Sequence, residues 1–505
     1  MSNAAPQTVR VRRDVWKLAT WDPIILWYAK GIAEMQKRLI ADPTSWRYQA
    51  AIHDYQRADD PFANSSDKLP TDQAKYWSRC QHGSWFFLPW HRIYLGYFEQ
   101  IVRAAVRKLG GPHETWTLPY WNYSDISNPK AMQLPPAFYA TTLPDGSPNP
   151  LRVEARSVGL NSGGTLPALP PSTNPADDVN AECVADTHFT GGAQGVDPGF
   201  GGPVTAFRHG GGTVGDLERV PHGSVHVAVG GDTGWMSAFD TAALDPIFWL
   251  HHCNVDRLWE VWRHRKRRNV NPADKSWLSF SFDFHDASGN PVSLTPQDVA
   301  DPATSQFGYR YEDISEPFPS QPLPGGKIVS MAAEPPSGPE PTPEMVGATA
   351  TPVDLKGAPT TTRIALNAPR GPGRLPAGEG ASRKVFLNIE NITSTGRTTS
   401  YAVYLNLTSE TNPYEDRSRL AGILPMFGVA EASRRESEHG GSGLTYSLDV
   451  TDLINQLQAN GQWDPAHLNV TFAPRPQSTE QSAATRGAPR PKPEIKIGRV
   501  SIYYQ

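Results

Sequence analysis

Fourteen prolines fall within the 60 residues from 317 to 376, and they separate two parts of the chain that differ in apolar pattern. Before this segment the apolar residues recur every three to four positions, and after it they alternate. A segment rich in proline and poor in aromatic residues is typical of a linker or an extended wrapping segment. We therefore predict a domain over residues 1–312, a Pro-rich linker over 313–380 and a second domain over 381–505.

Three segments of the first part have the spacing of amphipathic helices. The first extends over 22–40, the second over 89–109, and the third starts at Asp245 and continues into a basic stretch that ends at Arg268. The region 141–220 is rich in Gly, Pro, Ser and Thr, which predicts long surface loops laid over a helical core.

The second part contains five or more short segments in which apolar residues alternate with polar ones. They include 401–407, 444–450, 468–472 and 500–504, and Gly, Pro and Asn turns separate them. Short alternating strands of this kind indicate an antiparallel sandwich or barrel, with one short helix over 452–457. The predicted fold is thus multidomain: a mainly α-helical domain, built as a helix bundle with long loops, followed by an all-β C-terminal sandwich domain.

Charge and cysteine content exclude several classes of protein. Lys and Arg total 47 and Asp and Glu total 51 of 505 residues, a formal net charge of −4, which predicts no nucleic-acid or anionic-membrane partner. The chain has no run of about 20 apolar residues and no signal-peptide pattern, so a cytoplasmic protein is expected. Three scattered cysteines, Cys80, Cys183 and Cys253, form neither a disulfide framework nor a C-x-x-C metal site.

Seven of the fourteen histidines fall in two short stretches of the chain. These are His53, His82 and His91 in the first stretch, and His222, His226, His251 and His252 in the second. Several lie in apolar segments, where a buried ring nitrogen is costly without a partner. The spacing of four between His222 and His226 places two imidazoles on one side of a helix, as a metal ion requires. The two groups together predict a metal site.

The residues around the histidines narrow the choice of metal. Imidazole ligands suit zinc, copper, iron or nickel. Residues 223–225 are Gly, Ser and Val, so the general base of a His-Glu-x-x-His zinc protease is missing. A di-iron carboxylate bundle needs Glu-x-x-His from two helices, and the one match, at 436–439, lies in a polar stretch far from the histidines. Two histidine triads with open coordination positions favour a pair of copper ions that binds dioxygen.

Two long motifs carry a resemblance to a known family. Residues 245–259, DPIFWLHHCNVDRLW, strongly resemble the second-copper signature of tyrosinases, catechol oxidases and molluscan haemocyanins. Residues 87–92, FLPWHR, with the aromatic residues that follow, are similar to their first-copper signature. Residues from 401 onward resemble the β-domain that covers the active site in latent plant polyphenol oxidases. The chain therefore resembles the tyrosinase and polyphenol oxidase family of type 3 copper proteins.

The resemblance implies a set of metal ligands and leaves His251 as a neighbour of the site. The implied ligands are His53, His82 and His91 for the first copper, and His222, His226 and His252 for the second. It also implies a bond between Cys80 and the imidazole of His82, for which the alternative is a buried free thiol.

Two further residues match positions near the coppers in plant relatives. Glu218 matches a glutamate that orients a water, and its alternative role is to complement a helix dipole. Phe239 matches a bulky gate above the coppers, and its alternative is a plain core residue.

The resemblance implies a copper-dependent oxidase with two copper ions as cofactor and with small phenols and O2 as substrates. We expect it to oxidise o-diphenols to o-quinones and to hydroxylate monophenols such as tyrosine. Gly223 stands where good monophenol hydroxylases of the family often carry Asn, which favours the alternative of a catechol oxidase without significant monophenolase activity. A haemocyanin-like O2 carrier is a further alternative, and the lack of internal repeats argues against it. A homo-oligomer is compatible with this sequence.

The linker bears on how the second domain acts. A tether of about 60 residues keeps the β-domain at high effective concentration over the copper site and remains open to proteolysis. We expect the β-domain to restrict access to the site. The alternative is that it stabilises the fold or an oligomer interface.

Overall fold

A computed structural model describes most of the chain. The described residues are 9–125, 127–167, 179–191, 196–207, 211–265, 269–315, 342–367, 384–408, 411–415, 417–435, 441–475 and 493–505. The end of the predicted basic stretch, the motif at 436–439 and much of the predicted linker lie outside these residues.

The described residues before 316 form a helical region with few strands. Its helices are α1 (Pro23–Gln36), α2 (Trp46–His53), α3 (Gln73–Tyr76), α4 (Phe87–Lys108), α5 (Ser224–Gly230), α6 (Phe239–Ala242), α7 (Ile247–Arg265), α8 (Lys275–Leu278) and α9 (Pro296–Val299). Its strands are β1 (Arg10–Arg12), β2 (Gly212–Thr213), β3 (Phe282–His285), β4 (Pro291–Leu294) and β5 (Tyr309–Tyr311). None of the described helices combines the length and the apolar character needed to cross a membrane.

The three predicted helices are confirmed as α1, α4 and α7. Asp22 caps α1 through a hydrogen bond from the backbone N–H of Ile24, and Pro23 occupies the first turn. The carboxylate of Asp245 accepts the N–H of Ile247 at the start of α7. The described part of the predicted loop region, up to Leu217, contains only short 3₁₀ turns and the strand β2.

The described residues from 342 onward form a β region. Its strands are β6 (Glu344–Ala348), β7 (Val353–Leu355), β8 (Thr360–Leu366), β9 (Val385–Ser394), β10 (Tyr401–Leu405), β11 (Leu420–Leu424), β12 (Leu444–Asp449), β13 (His467–Pro474) and β14 (Ile495–Tyr504). Two short helices, α10 (Val429–Ala432) and α11 (Thr451–Ala459), lie between strands. The predicted β region and its predicted short helix are thus both present.

The strands form one hydrogen-bonded path in the order β11-β10-β13-β8-β6-β14-β9-β12-β2, with β7 paired to β14. Val403 and Val470 from one half of this path share a single apolar core with Leu387 and Ile502 from the other half. Near the two ends of the path, Gly422 of β11 lies against the side chain of Leu448 of β12. The sheet therefore folds over one core as a sandwich does, although β6 and β8 keep its halves hydrogen-bonded.

The structure differs from the prediction in part of the range 313–380. Residues 344–366 were expected in a linker, and they contain the strands β6, β7 and β8 of the C-terminal sheet. Their prolines, at 352 and 359, fall between strands, where no ladder hydrogen bond is lost. Because proline is frequent over residues 317–376 as a whole, a prediction based on composition missed these three strands.

A buried ionic network ties the helical region together. The carboxylate of Asp256 in α7 lies 2.6 Å from Nε of Arg92 in α4 and 3.4 Å from Nη1 of Arg12 in β1. The hydroxyls of Tyr309 and Tyr311 in β5 each donate to the same carboxylate at 2.5 Å. Burial alone would raise the pKa of Asp256, but the two guanidinium groups lower it below its ordinary value. Asp256 thus fixes α7 against α4, the two longest helices.

We expect Asp256→Asn to destabilise the fold by about 3–5 kcal/mol, because it leaves two buried guanidinium groups without their shared carboxylate. Urea unfolding followed by tryptophan fluorescence measures the effect. The matched control is Glu154→Gln, which removes an ion pair to Arg152 whose carboxylate side chain is 76% exposed. The control should change stability by less than about 1 kcal/mol. Equal effects of the two substitutions would contradict the role of the network.

Candidate metal centre

The seven histidines singled out in the sequence meet in the core of the helical region. They come from α2, the segment before α4, α4 itself, the turn before α5, α5 and α7, and all are buried: His53, His82, His91, His222, His226, His251 and His252. They form two groups within which one ring nitrogen of each member lies within 4.8 Å of the others. The first group holds the three histidines before residue 100, and the second holds the other four.

The first group draws together residues that are 38 positions apart in the sequence. His53 is the last residue of α2 and His91 lies one turn into α4. The ring centroid of His82 is 5.3 Å from that of His53 and 5.4 Å from that of His91. The three rings therefore converge on one volume, as ligands of a single ion do.

The second group depends on an irregular turn. Residues Glu218–Gly223 form a π turn in which Val220 is extended, and α5 begins directly after it. Pro221 has no N–H to donate, so it cannot continue a regular helix here. The ring centroids of His222 and His226 nevertheless lie 4.6 Å apart, and Nε2 of His226 lies 3.3 Å from Nε2 of His252. The predicted convergence of this pair is confirmed.

Backbone carbonyls fix the orientation of four of the rings. Nδ1 of His53 donates to the Phe239 carbonyl, and Nδ1 of His91 to that of Phe87, each at 2.8 Å. In the second group, Nδ1 of His222 donates to the Glu218 carbonyl at 3.1 Å and Nδ1 of His226 to the Met236 carbonyl at 2.8 Å. An Nδ1–H bond of this kind leaves Nε2 with its lone pair, which is the form that binds a metal.

The rings are held neutral by their surroundings. Burial, together with neighbouring imidazoles, lowers the pKa of His91, His222, His226 and His252 well below the ordinary value. Nε2 of His91 and Nε2 of His222 are buried and have no hydrogen-bond partner among the described residues. Such orphaned nitrogens are costly unless a ligand takes them up. Two groups made only of neutral, buried imidazoles are compatible with copper.

His251 is the fourth member of the second group. Its ring stacks on His222, with centroids 5.5 Å apart, and the centroid of the Tyr123 ring lies 5.5 Å from it as well. Only the adjacent His252 brings Nε2 to 3.3 Å from Nε2 of His226. The geometry thus gives the two members of the doublet different surroundings.

Glu218 lies beside both groups. Both of its carboxylate oxygens accept the backbone N–H of Gly83, at 3.0 and 2.9 Å, next to His82 in the sequence. Burial raises the pKa of Glu218 to about 8, and the Gly83 N–H only partly offsets this. A buried carboxyl next to two candidate metal positions is unlike a solvated residue of a first helical turn.

Phe239 and Cys80 lie against the first group. The ring of Phe239 stacks on His82 with centroids 4.2 Å apart, and its carbonyl orients His53. Cys80 is fully buried two residues before His82, and its backbone N–H donates to the His53 carbonyl at 3.4 Å.

One residue at the site was missed by the sequence analysis. Phe427, from the loop between β11 and α10, stacks on His226 with centroids 3.9 Å apart and planes 11° apart. It also contacts His222 and Phe239, at 5.6 and 4.7 Å between centroids. The available signal was an apolar residue in a turn between strands, where polar residues are usual.

Sequence comparisons place the site in a family. The model described as the common central domain of tyrosinase matches residues 43–265, which include all seven histidines. The model described as the polyphenol oxidase middle domain matches residues 271–321, and a domain of unknown function matches residues 342–505.

Two curated proteins and one solved structure extend these matches. Tyrosinase HcTyr1 from Hahella sp. (strain CCB-MM4) is 36% identical over 513 residues, which cover 98% of this chain and 99% of the relative. The chloroplastic polyphenol oxidase E of Solanum lycopersicum is 26% identical, covering 87% of this chain and 70% of the relative. The structure of latent apple tyrosinase shares the fold, with a TM-score of 0.65 at 23% identity, over 100% of this chain and 99% of that one.

Identity of this level along the whole length of a relative is accompanied here by two clusters of buried imidazoles suited to copper. The chain therefore belongs to the tyrosinase family of type 3 copper proteins, whose cofactor is a pair of copper ions.

Proposed function

We propose that this protein oxidises o-diphenols to o-quinones with O2 and hydroxylates monophenols such as tyrosine. The observation that carries the proposal is the pair of facing histidine groups, in which buried Nε2 atoms of His91 and His222 have no hydrogen-bond partner among the described residues. The 36% identity to a bacterial tyrosinase supports the monophenolase step.

We propose that three histidines hold each copper ion. The ligands are His53, His82 and His91 for one ion, and His222, His226 and His252 for the other. When bound, the copper pair supplies the redox chemistry that reduces O2 and oxidises the phenol. The backbone carbonyls that accept the Nδ1–H groups keep the rings in position while this chemistry proceeds.

The residues around the ligands have separate proposed tasks. Phe87 lies between the two groups, with its ring centroid 4.6 Å from that of His91 and 4.8 Å from that of His222, and it keeps water out. Phe239 forms the side wall at which a phenol ring arrives. Glu218, held by the Gly83 N–H, orients a water and accepts through it the proton that the phenol loses, and the raised pKa of its carboxylate makes it a stronger base for this step.

A catechol oxidase without significant monophenolase activity is the second candidate. It is favoured by Gly223, which offers no side chain to help a water deprotonate a monophenol. Oxygen consumption by the copper-loaded protein on tyrosine and on dihydroxyphenylalanine, measured side by side, separates the two candidates. Turnover of only the diphenol would establish the second candidate, and turnover of neither would favour reversible O2 binding.

We expect two copper ions per chain in the wild type and loss of about one ion and of activity in both His91→Ala and His226→Ala. Each substitution removes one of the three proposed ligands of one ion, and the residues around the ligands cannot replace the missing imidazole. Atomic absorption and catechol oxidation measure the two effects. His113→Ala is the control, since that half-buried histidine lies in neither group. One copper ion in the wild type, or full activity in either variant, would contradict the dinuclear site.

We also propose a covalent bond between Cys80 Sγ and the imidazole of His82. Its formation replaces one S–H and one ring C–H by a C–S bond, and the two protons and two electrons released pass to O2, which is reduced to hydrogen peroxide. A peptide that contains both residues should therefore be lighter by two hydrogen atoms in mass spectrometry. Cys80 should also resist alkylation after denaturation, whereas Cys183 and Cys253 react. Free alkylation of Cys80 in copper-loaded, oxygen-exposed protein would refute the bond.

We propose further that the C-terminal β region covers the copper site through the segment 425–428. Phe427 occupies the face of His226, where an aromatic substrate would stack. Gly428 lacks a side chain, which allows the chain to pass directly against the ring of Phe239. The segment therefore fills the space above the second histidine group.

Phe427→Ala should raise catechol turnover of the intact chain, because it removes about 2 kcal/mol of apolar contact that favours the closed state. This corresponds to a roughly 30-fold shift toward the open state. Steady-state kinetics with small and bulky catechols measure the change, which should be largest for the bulky ones. The control Met345→Ala removes a partly exposed apolar side chain in β6 and should leave turnover unchanged. An unchanged or lower rate in Phe427→Ala, with copper retained, would exclude the cover.

A further inference from the structure

The strand at one edge of the C-terminal sheet comes from the helical region. Strand β2 lies parallel to β12, with Gly212 opposite Leu444 and Thr213 opposite Thr445. The N–H of Gly212 donates to the Gly443 carbonyl at 2.9 Å, and the N–H of Val214 to the Thr445 carbonyl at 3.0 Å. Residues about 230 positions apart are thus joined by a backbone ladder across the boundary between the two regions.

The side chain that follows this strand is buried in the other region. Val214 is 5% exposed and belongs to the apolar core of the C-terminal sheet, together with Leu444 and Tyr446 of β12. Val204, ten residues earlier in the same part of the chain, is 57% exposed and belongs to no core. Segment 211–214 therefore contributes both hydrogen bonds and apolar burial to a sheet built by residues after 342.

The same segment also packs against Gly83, which follows His82 of the first histidine group. Gly83 has a positive φ of 60°, and a side chain there would collide with the carbonyl oxygen of Gly211. The N–H of Gly83 holds the carboxylate of Glu218, which follows the segment by four residues. The segment is thus fixed on both sides and is not a loop that happens to touch the sheet.

The other contacts across the boundary differ in kind. They include the ion pair between Arg397 and the buried carboxylate of Asp240, at 3.1 Å, and the ion pair between Lys384 and Asp197, at 3.1 Å. The cover segment 425–428 adds ring contacts. These contacts involve side chains, which can separate one at a time, whereas the β2–β12 ladder joins backbones.

We propose that the edge of β12 is a docking surface for residues 211–214 of the same chain. Strand addition holds the C-terminal sheet on the helical region independently of the covalent connection between them. Cutting that connection then leaves the sheet in place. A consequence that rests on the proposed function concerns the cover. The copper site opens by displacement of residues 425–428 and not by release of the sheet.

The experiment uses the full chain with a specific protease site inserted between residues 316 and 341. After complete cleavage, size-exclusion chromatography at micromolar and nanomolar concentrations determines whether the two fragments elute together. Val214→Asp places a charge in the apolar core of the sheet, and Val214→Pro removes the N–H that bonds to Thr445. The control, Val204→Asp, makes the first change at an exposed valine of the same region.

We expect the cleaved wild type and the cleaved Val204→Asp control to elute as one species. Both Val214 variants should raise the dissociation constant of the fragments by about 30-fold or more, which corresponds to about 2 kcal/mol. Circular dichroism and copper content of the uncut variants identify a variant that fails to fold, and the second substitution then decides.

Two outcomes would overturn the proposed docking of residues 211–214 on β12. One is separation of the wild-type fragments on cleavage, and the other is an equal dissociation constant for the Val214 variants and the control. Elution is measured without substrate, so it stands apart from failure of the proposed oxidase activity or of the cover.

Discussion

The structure depends on the hydrogen bonds by which buried imidazoles donate Nδ1–H to backbone carbonyls. Four such bonds, from His53, His91, His222 and His226, end on carbonyls of four different segments of the helical region. Each carbonyl is itself fixed by the turn or helix that carries it, so ring orientation is set before a metal arrives. The π turn before α5, the short helix α6 and the packing of α4 against α7 all serve to hold these acceptors in place.

The helices that carry the ligands could be predicted from the sequence because their signals are local. Asp22 and Pro23 start α1, and the long motifs that include His91 and His252 lie within α4 and α7. Contacts between distant segments could not be predicted from the sequence. Strands β6 to β8 are recognisable only once β14 and β13 pair with them, since the prolines that flank and separate them are typical of a linker.

The candidate site could be predicted to the same extent. Its prediction was incomplete for the same reason, because one contact joins distant segments. The six proposed ligands are those that the family resemblance implies, and the structure brings all six together in two groups. Phe427 could not be predicted, because no periodicity or motif links a turn in the β region to His226, about 200 residues earlier. Its role depends on how two regions dock, which is a property of tertiary packing alone.

Docking also bears on why residue 223 is a glycine. A Cβ atom at this position would lie 3.2 Å from Cβ of Pro425 in the cover segment and 3.3 Å from the Glu218 carbonyl oxygen, closer than side chains normally approach. A longer residue such as Asn at this position would require Pro425 or the Glu218 carbonyl to shift. Gly223 is therefore explained by packing whether or not the enzyme hydroxylates monophenols. Gly223 therefore bears on both proposals: it offers no side chain that could help a water deprotonate a monophenol, and it leaves room for Pro425 of the proposed cover segment.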